Sequence, residues 1–263
     1  DLHVTMALKV ARTGLPLYLE KPVAITRPQL VQLAEAFRGR EDRVVVSFPL
    51  RLTAACVKVA ELIRAGRLGP VVSIQAVNNV PYGGVYFGSW YRNYAQTGGL
   101  WLQKATHDFD YINSLMPSAP VRLAAVSTIN KVYGGDKPYD LHCAICGEQA
   151  TCPESTLAQQ GRGDAGGMDW CELEPGDHWC AFSRGIQNQE AGSAIIAYAD
   201  GSHASYSQNF VARREAGYRG ATVIGYRATA TFDFGGRVRI VDHHEKKVEE
   251  LTADAVGGHG GGD

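Results

Sequence analysis

Apolar positions recur at helical spacing over Val4, Ala7, Leu8 and Ala11, and Gly14 follows as a stop signal. Leu17-Tyr18-Leu19 is a short apolar run suited to a buried strand, and it ends at Glu20-Lys21-Pro22. A second helix is predicted to open with Thr26 as its cap, Gln29 completing a capping box and Pro28 tolerated in the first turn. Its expected inward stripe is Leu30, Leu33, Ala34 and Phe37, and Val44–Val46 reads as the next strand. Helix, strand, helix and strand with tight connections give the rhythm of a doubly wound parallel sheet. That rhythm occupies residues 1–50, too few for a complete domain.

The pattern then changes. Leu52, Ala55, Cys56, Val59, Leu62 and Ile63 predict one more amphipathic helix, ended near Gly66. After it, Val72, Ile74 and Ala76 alternate with Ser73 and Gln75, as a half-exposed strand does. Strand-like runs recur at Val121–Val126, Ser193–Tyr198, His203–Phe210, Thr222–Tyr226 and Arg237–Val241, several of them separated by turn residues. A helix is expected from about Thr106 to Leu115. Residues 51–263 thus read as an α+β domain on a large, mostly antiparallel open sheet, with an irregular Gly- and Cys-rich insertion at 134–180.

Composition narrows the function classes. Hydrophobic residues make up 45% and charged residues 20% of the chain, ordinary for a globular protein, and the formal net charge is -1. That balance argues against a nucleic-acid or membrane-surface binder. The apolar runs are short and broken by charge, so no membrane span is expected. No signal peptide is visible at Asp1-Leu2-His3, and the expected location is the cytoplasm.

Two segments carry candidate chemistry. Glu20-Lys21-Pro22 sits just past a predicted parallel strand, where open α/β sheets bind ligands. A shielded lysine there can have its pKa lowered and exchange protons with a substrate hydroxyl; the plainer alternative is a surface salt-bridging lysine before a turn proline. The second segment runs from Thr97-Gly98-Gly99 through Gln103 and Lys104 to His107 and Asp110. Its paired glycines allow close backbone approach, and Thr106 is a candidate cap for the helix carrying His107 and Asp110. His107 suits general acid–base work near neutral pH, with Asp110 one turn on to fix its tautomer. The alternative is a histidine that only caps and packs.

Glu-Lys-Pro after a strand, followed downstream by a Gly-Gly stretch leading into His107-x-x-Asp110, resembles the Gfo/Idh/MocA family of NAD(P)-dependent oxidoreductases. Asp1-Leu2-His3, Ser47–Leu50 with Arg51, Gly66-Arg67-Leu68-Gly69 and His259–Asp263 resemble other stretches of the same family, so the likeness covers nearly the whole chain outside the insertion. The resemblance implies an N-terminal Rossmann domain, of which residues 1–50 are the last part, and a C-terminal sheet domain often used for oligomerisation. It implies NAD or NADP at the first domain and a sugar or polyol between the two. Lys21 and His107 are the implied catalytic pair. Glu20, Lys21, Pro22, His3 and Arg51 are the implied cofactor contacts, and Gln103, Lys104, Asp110, Tyr91 and Arg92 the candidate substrate contacts.

Two departures qualify that expectation. The family's frequent aspartate four residues before the histidine is Gln103, and its glycine two before is Ala105. Glutamine keeps hydrogen-bonding capacity but supplies no negative charge. A non-catalytic relative acting as a binding or regulatory protein is therefore the rival expectation. Moreover, no Gly-x-Gly-x-x-Gly follows a strand, so the pyrophosphate cradle is missing. The chain reads as truncated at both ends and is not expected to hold NAD(P) tightly by itself.

Five of the six cysteines lie between Cys143 and Cys180. Cys143-x-x-Cys146 followed by Cys152 has spacing compatible with metal ligation, with His142, Cys171, His178 or Cys180 to complete a site. Only one Cys-x-x-Cys is present, however, and the other spacings match no standard zinc module. Reduced thiols or a local disulfide are the alternatives to zinc, and a metal- or partner-binding module grafted on the fold is a third reading.

Overall fold

The computed structural model describes residues 2–155 and 178–253. It contains two sheets. The first is a parallel pair, β1 (Leu17–Leu19) beside β2 (Val44–Val46), with α1 (His3–Ala11) and α2 (Arg27–Ala36) packed beside it. Val4, Ala7, Leu19, Leu33 and Phe37 form its small core. The capping box at Thr26 is present as predicted, since Thr26 Oγ1 accepts from the Gln29 amide at 3.4 Å and Gln29 Oε1 accepts from the Thr26 amide at 3.2 Å. The predicted inward stripe is too wide: Leu33 and Phe37 are buried, whereas Leu30 and Ala34 are exposed. Only one narrow face of α2 meets this small sheet.

α3 (Ala54–Arg64) follows, and the chain enters an eight-stranded sheet ordered β10-β9-β8-β7-β3-β6-β5-β4. Its strands are β3 (Val71–Asn79), β4 (Pro120–Thr128), β5 (Ala191–Tyr198), β6 (His203–Asn209), β7 (Tyr218–Gly225), β8 (Ala228–Asp233), β9 (Arg237–Asp242) and β10 (Val248–Thr252). All neighbours are antiparallel except β3 and β6, which run parallel. Ile74, Ala76, Ile196, Tyr206, Val223, Phe232 and Ile240 face the main core with residues of α3 and α7 (Ala105–Leu115). The opposite face of the sheet is left open, with Ile195 60% exposed and Val126 72% exposed.

Two strands escaped the sequence reading. β8 shows its alternation through small residues, Ala228 and Ala230, and β10 is a charged edge strand. The expected alternation in β3 also fails at its start. A register irregularity between Val71 and Ser73 turns Val72 outward and buries Ser73, while Ile74 and Ala76 point inward as predicted. Residues 156–177, which include Cys171, and His259–Asp263 lie outside the described residues.

Candidate active site

Both strands of the parallel pair end at one cleft. β1 runs directly into Glu20-Lys21-Pro22, whose Lys21–Pro22 peptide is cis, and β2 runs into Ser47 and Pro49. The far wall comes from the large domain. α4 (Val85–Gly88) supplies Tyr86, and a 3-10 turn supplies Tyr91. α5 (Tyr94–Thr97) and α6 (Leu100–Gln103) lead to Gln103 and Lys104, and His107 stands on the first turn of α7. The cleft encloses about 280 Å³.

The glycine pair explains how this wall reaches the cleft. Gly98 and Gly99 have φ of +71° and +82°, where a side chain is strained. A Cβ on Gly99 would lie 2.5 Å from the Tyr94 ring and 2.9 Å from Gln189 Oε1, which accepts from the Leu100 amide. The chain therefore turns tightly into α6, breaks at Lys104 and restarts as α7. Lys104, not Thr106, occupies the cap position of α7; the Thr106 hydroxyl donates instead to the Leu102 carbonyl at 2.9 Å. Lys104, at the break, and His107, on the first turn of α7, both line the same cleft.

The cations of the cleft are held differently. Lys21 Nζ donates to the Gln103 carbonyl at 2.7 Å, tying the two domains together. Burial lowers the Lys21 pKa, Glu20 beside it raises it, and Arg219 lowers it further. Lys104 Nζ donates to the Tyr82 hydroxyl and lies 4.8 Å from the centre of the Tyr82 ring. Burial, with Arg219 and Lys21 nearby and Asp108 opposing, brings the Lys104 pKa down to about 7. The His107 ring meets the Phe48 ring edge-on, with centroids 6.1 Å apart. The Gln103 side-chain amide donates to the Thr97 carbonyl at 3.2 Å, so it braces the wall of the cleft.

Other predicted site residues have different positions. Asp110, expected to fix the His107 tautomer, forms a two-pronged pair with Arg51, with Arg51 Nε donating to Asp110 Oδ2 at 2.6 Å. This spends Arg51 and Asp110 on each other, outside the residues lining the cleft. Arg92 is buried in the insertion, donating to the Ser183 hydroxyl at 3.1 Å and to the carbonyls of Cys180 and Tyr139. It is therefore a structural anchor, and not the substrate contact expected. His3 Nδ1 lies 2.8 Å from the Pro22 carbonyl, which places it behind the Glu-Lys-Pro turn. Tyr91 does line the cleft.

Sequence reading missed Tyr82 and Tyr86, which follow β3 in a Tyr-Gly-Gly-Val-Tyr segment, and the buried support beneath Lys104. Asp108, fully buried, accepts from Arg219 Nε at 2.8 Å, Tyr206 Oη at 2.9 Å and Asn78 Nδ2 at 3.0 Å. Asp108 sits beside the motif histidine, but nothing in the local pattern separates it from Asp110.

Cys143, Cys146, Cys152 and Cys180 are free thiols. Among the described residues, no group of three or more His, Cys, Asp or Glu side chains is placed to hold a metal ion. The candidate metal ligands Cys143, Cys146 and Cys152 therefore form no metal site with the other described residues. Nor is any helix among them long and apolar enough to cross a membrane.

Comparison with known proteins follows the same lines. The family description of the GFO/IDH/MocA C-terminal domain matches residues 56–231. The chain belongs to the GFO/IDH/MocA family. It is 26% identical to YteT of Bacillus subtilis (strain 168), named as an oxidoreductase, over all of this chain and 68% of that protein. It is 24% identical to inositol 2-dehydrogenase of Rhizobium meliloti (strain 1021), over 61% of this chain and 49% of that protein. Levoglucosan dehydrogenase, solved with NADH and levoglucosan, shares the fold with a TM-score of 0.68 at 16% identity, over 96% of this chain and 58% of that one. The chain thus spans less than two thirds of the length of that solved family member.

The residues present suit the nicotinamide end of a dinucleotide. A cleft at the carboxyl ends of parallel strands, walled by Glu20, Lys21 and Ser47, is where such sheets place that group. Among the described residues, no strand is followed by a Gly-x-Gly-x-x-Gly run that would cradle the pyrophosphate.

Proposed function

We propose that this chain forms the substrate-facing part of an NAD(P)-dependent oxidoreductase acting on a sugar, polyol or related hydroxy compound. The observation that carries this reading is the meeting of Lys21, Gln103, Lys104 and His107 at the carboxyl ends of the parallel pair. NADH and levoglucosan bound to a protein of the same fold, and inositol 2-dehydrogenase among the relatives, support the cofactor and substrate classes. Bound nicotinamide would accept or return a hydride; the protein's part is to orient the reacting oxygen and handle its proton. Lys21, anchored on the Gln103 carbonyl, is a fixed donor to that oxygen, and His107 faces it from α7. Glu20 and Pro22 shape the nicotinamide side. The open sheet face around Val126 and Ile195 supports self-association through the large domain.

A non-catalytic binding or regulatory relative is the second reading, favoured by Gln103, whose amide is committed to Thr97. One experiment separates the two. The full-length gene product is titrated with NAD(H) and NADP(H) by calorimetry, then assayed on a panel of sugars and polyols. The dehydrogenase reading expects binding of one cofactor and turnover that falls about 100-fold or more in Lys21→Met and His107→Ala. Cofactor-independent sugar binding, unchanged by either substitution, would establish the second reading instead.

A further inference from the structure

Lys104 is a second lysine in the cleft, and its surroundings differ from those of Lys21 in a way that bears on proton transfer. Lys21 donates to a backbone carbonyl, which only accepts hydrogen bonds and so suits an amine that keeps its proton. Lys104 donates to a phenol, which can either accept or donate. The Tyr82 hydroxyl is itself kept protonated by burial and is hydrogen-bonded to Tyr86, which lines the cleft. The pair Lys104–Tyr82 therefore accommodates the ammonium and the neutral amine without leaving a polar atom stranded, and Tyr86 extends the chain of hydroxyls toward the opening.

Resting on the dehydrogenase reading above, we propose that Lys104 is the catalytic residue that exchanges the proton of the reacting oxygen, with Tyr82 as its partner, in place of the acid absent at Gln103. In the oxidising direction, the neutral Nζ takes the proton of the substrate hydroxyl as the C–H hydride leaves for an oxidised nicotinamide. A carbonyl and an ammonium result. In the reducing direction the ammonium returns its proton to the carbonyl oxygen while the reduced nicotinamide supplies the hydride.

The charges around Lys104 suit this exchange. Lys21 and Arg219 face it and disfavour the ammonium, while Asp108 favours it but is already paired with Arg219 at 2.8 Å. The rings of Tyr82 and Tyr86 lie against the amine, at 4.8 and 6.0 Å to their centres. The resulting pKa of about 7 leaves both protonation states accessible near neutral pH. Substrate oxidation, which needs the neutral amine, should rise as pH increases through about 7, and carbonyl reduction should fall over the same range.

Two measurements test the proposal. Trace acetylation of the full chain between pH 5.5 and 10, quantified at each lysine by peptide mass spectrometry, needs neither cofactor nor substrate. Lys104 is expected to become reactive half-maximally near pH 7, and the midpoint should move up in Lys21→Met. A midpoint in the ordinary lysine range overturns the proposal, and so does a Lys104 that stays unmodified while the exposed lysines react. In the full-length enzyme, Lys104→Met should lower kcat about 100-fold or more and abolish the limb near pH 7 in the profile of kcat/KM. Lys104→Arg, permanently charged, should not restore it, and Tyr82→Phe should displace it. A Lys104→Met enzyme that keeps the limb overturns the proposal. A wild-type protein with the expected acetylation midpoint but no turnover with either nicotinamide would defeat the dehydrogenase reading itself.

Discussion

The cleft and the cysteine-bearing insertion are both rich in reactive side chains, yet the fold treats them in opposite ways. In the cleft, Lys21, Lys104 and His107 come from the end of a strand in one sheet and from two helices laid against the other. The two lysines are held by groups distant in sequence, Lys21 by Gln103 and Lys104 by Tyr82. In the insertion, the thiols cluster in sequence, and the bonds that hold the segment are backbone ones running from one end of it to the other. The Cys143 amide donates to the His178 carbonyl at 2.8 Å and the Cys180 amide to the Leu141 carbonyl at 2.8 Å, while Arg92 and the Glu154–Arg213 ion pair join the loop to the rest of the fold. Chemistry needs groups converging on an opening from several sides, and that convergence is supplied by long-range packing. Clustering in sequence supplied the insertion with thiols but, among the described residues, with no metal geometry.

The sharpest way to break this contrast is to remove the support under the cleft. Asp108→Ala strips a buried carboxylate from Arg219, Tyr206 and Asn78 and leaves a guanidinium without its counter-charge. Urea unfolding should show a loss of about 3–5 kcal/mol. Near-native stability would mean that the network does not hold the wall together.

The insertion should respond to Arg92→Met with a smaller and more local loss. Arg92 lies between the rings of Tyr139 and Trp179, at 4.0 and 5.1 Å, and satisfies several buried acceptors. A loss of about 1–3 kcal/mol is expected, with limited proteolysis at the insertion accelerating before the rest of the chain. Uniform acceleration across the chain would show that the insertion is not a separable region.

The smallest effect should come from Asp110→Asn. The Asp110 side chain is only 7% exposed, but its partner Arg51 is 45% exposed, so water reaches the pair from the arginine side. The expected loss is about 0.2–1 kcal/mol by the same unfolding measurement. A loss as large as that of Asp108→Ala would place Asp110 among the groups that hold the wall of the cleft.

The contrast between those two aspartates shows how far the sequence could be read. Both lie on α7, two positions apart, and periodicity puts neither clearly inward. Asp110 was expected beside His107 because it stands one turn on, but Arg51 arrives from the segment before α3 and claims it. Asp108 had no visible role until β7 and β6 brought Arg219 and Tyr206 to it. Likewise Arg92 looked like a substrate contact until the insertion folded over it. Side chains such as these are assigned by what arrives from elsewhere, and local spacing carries no record of that.

What the sequence determined by itself were the features encoded by adjacent residues. The Thr26 capping box, the parallel β1–β2 rhythm, most strands of the large sheet and the Glu-Lys-Pro and Gly-Gly-to-His segments all rest on local hydrogen bonding, backbone permissiveness and period. Only the tertiary structure decided that Lys104 breaks the helix at the cleft, that Tyr82 is its partner, and that Gln103 offers Lys21 its backbone while its side chain turns to Thr97. Those outcomes depend on where a second sheet and its loops are placed, and on burial that sets the charge of an amine. Both are properties of the packed chain, and neither is a property of any short stretch of it.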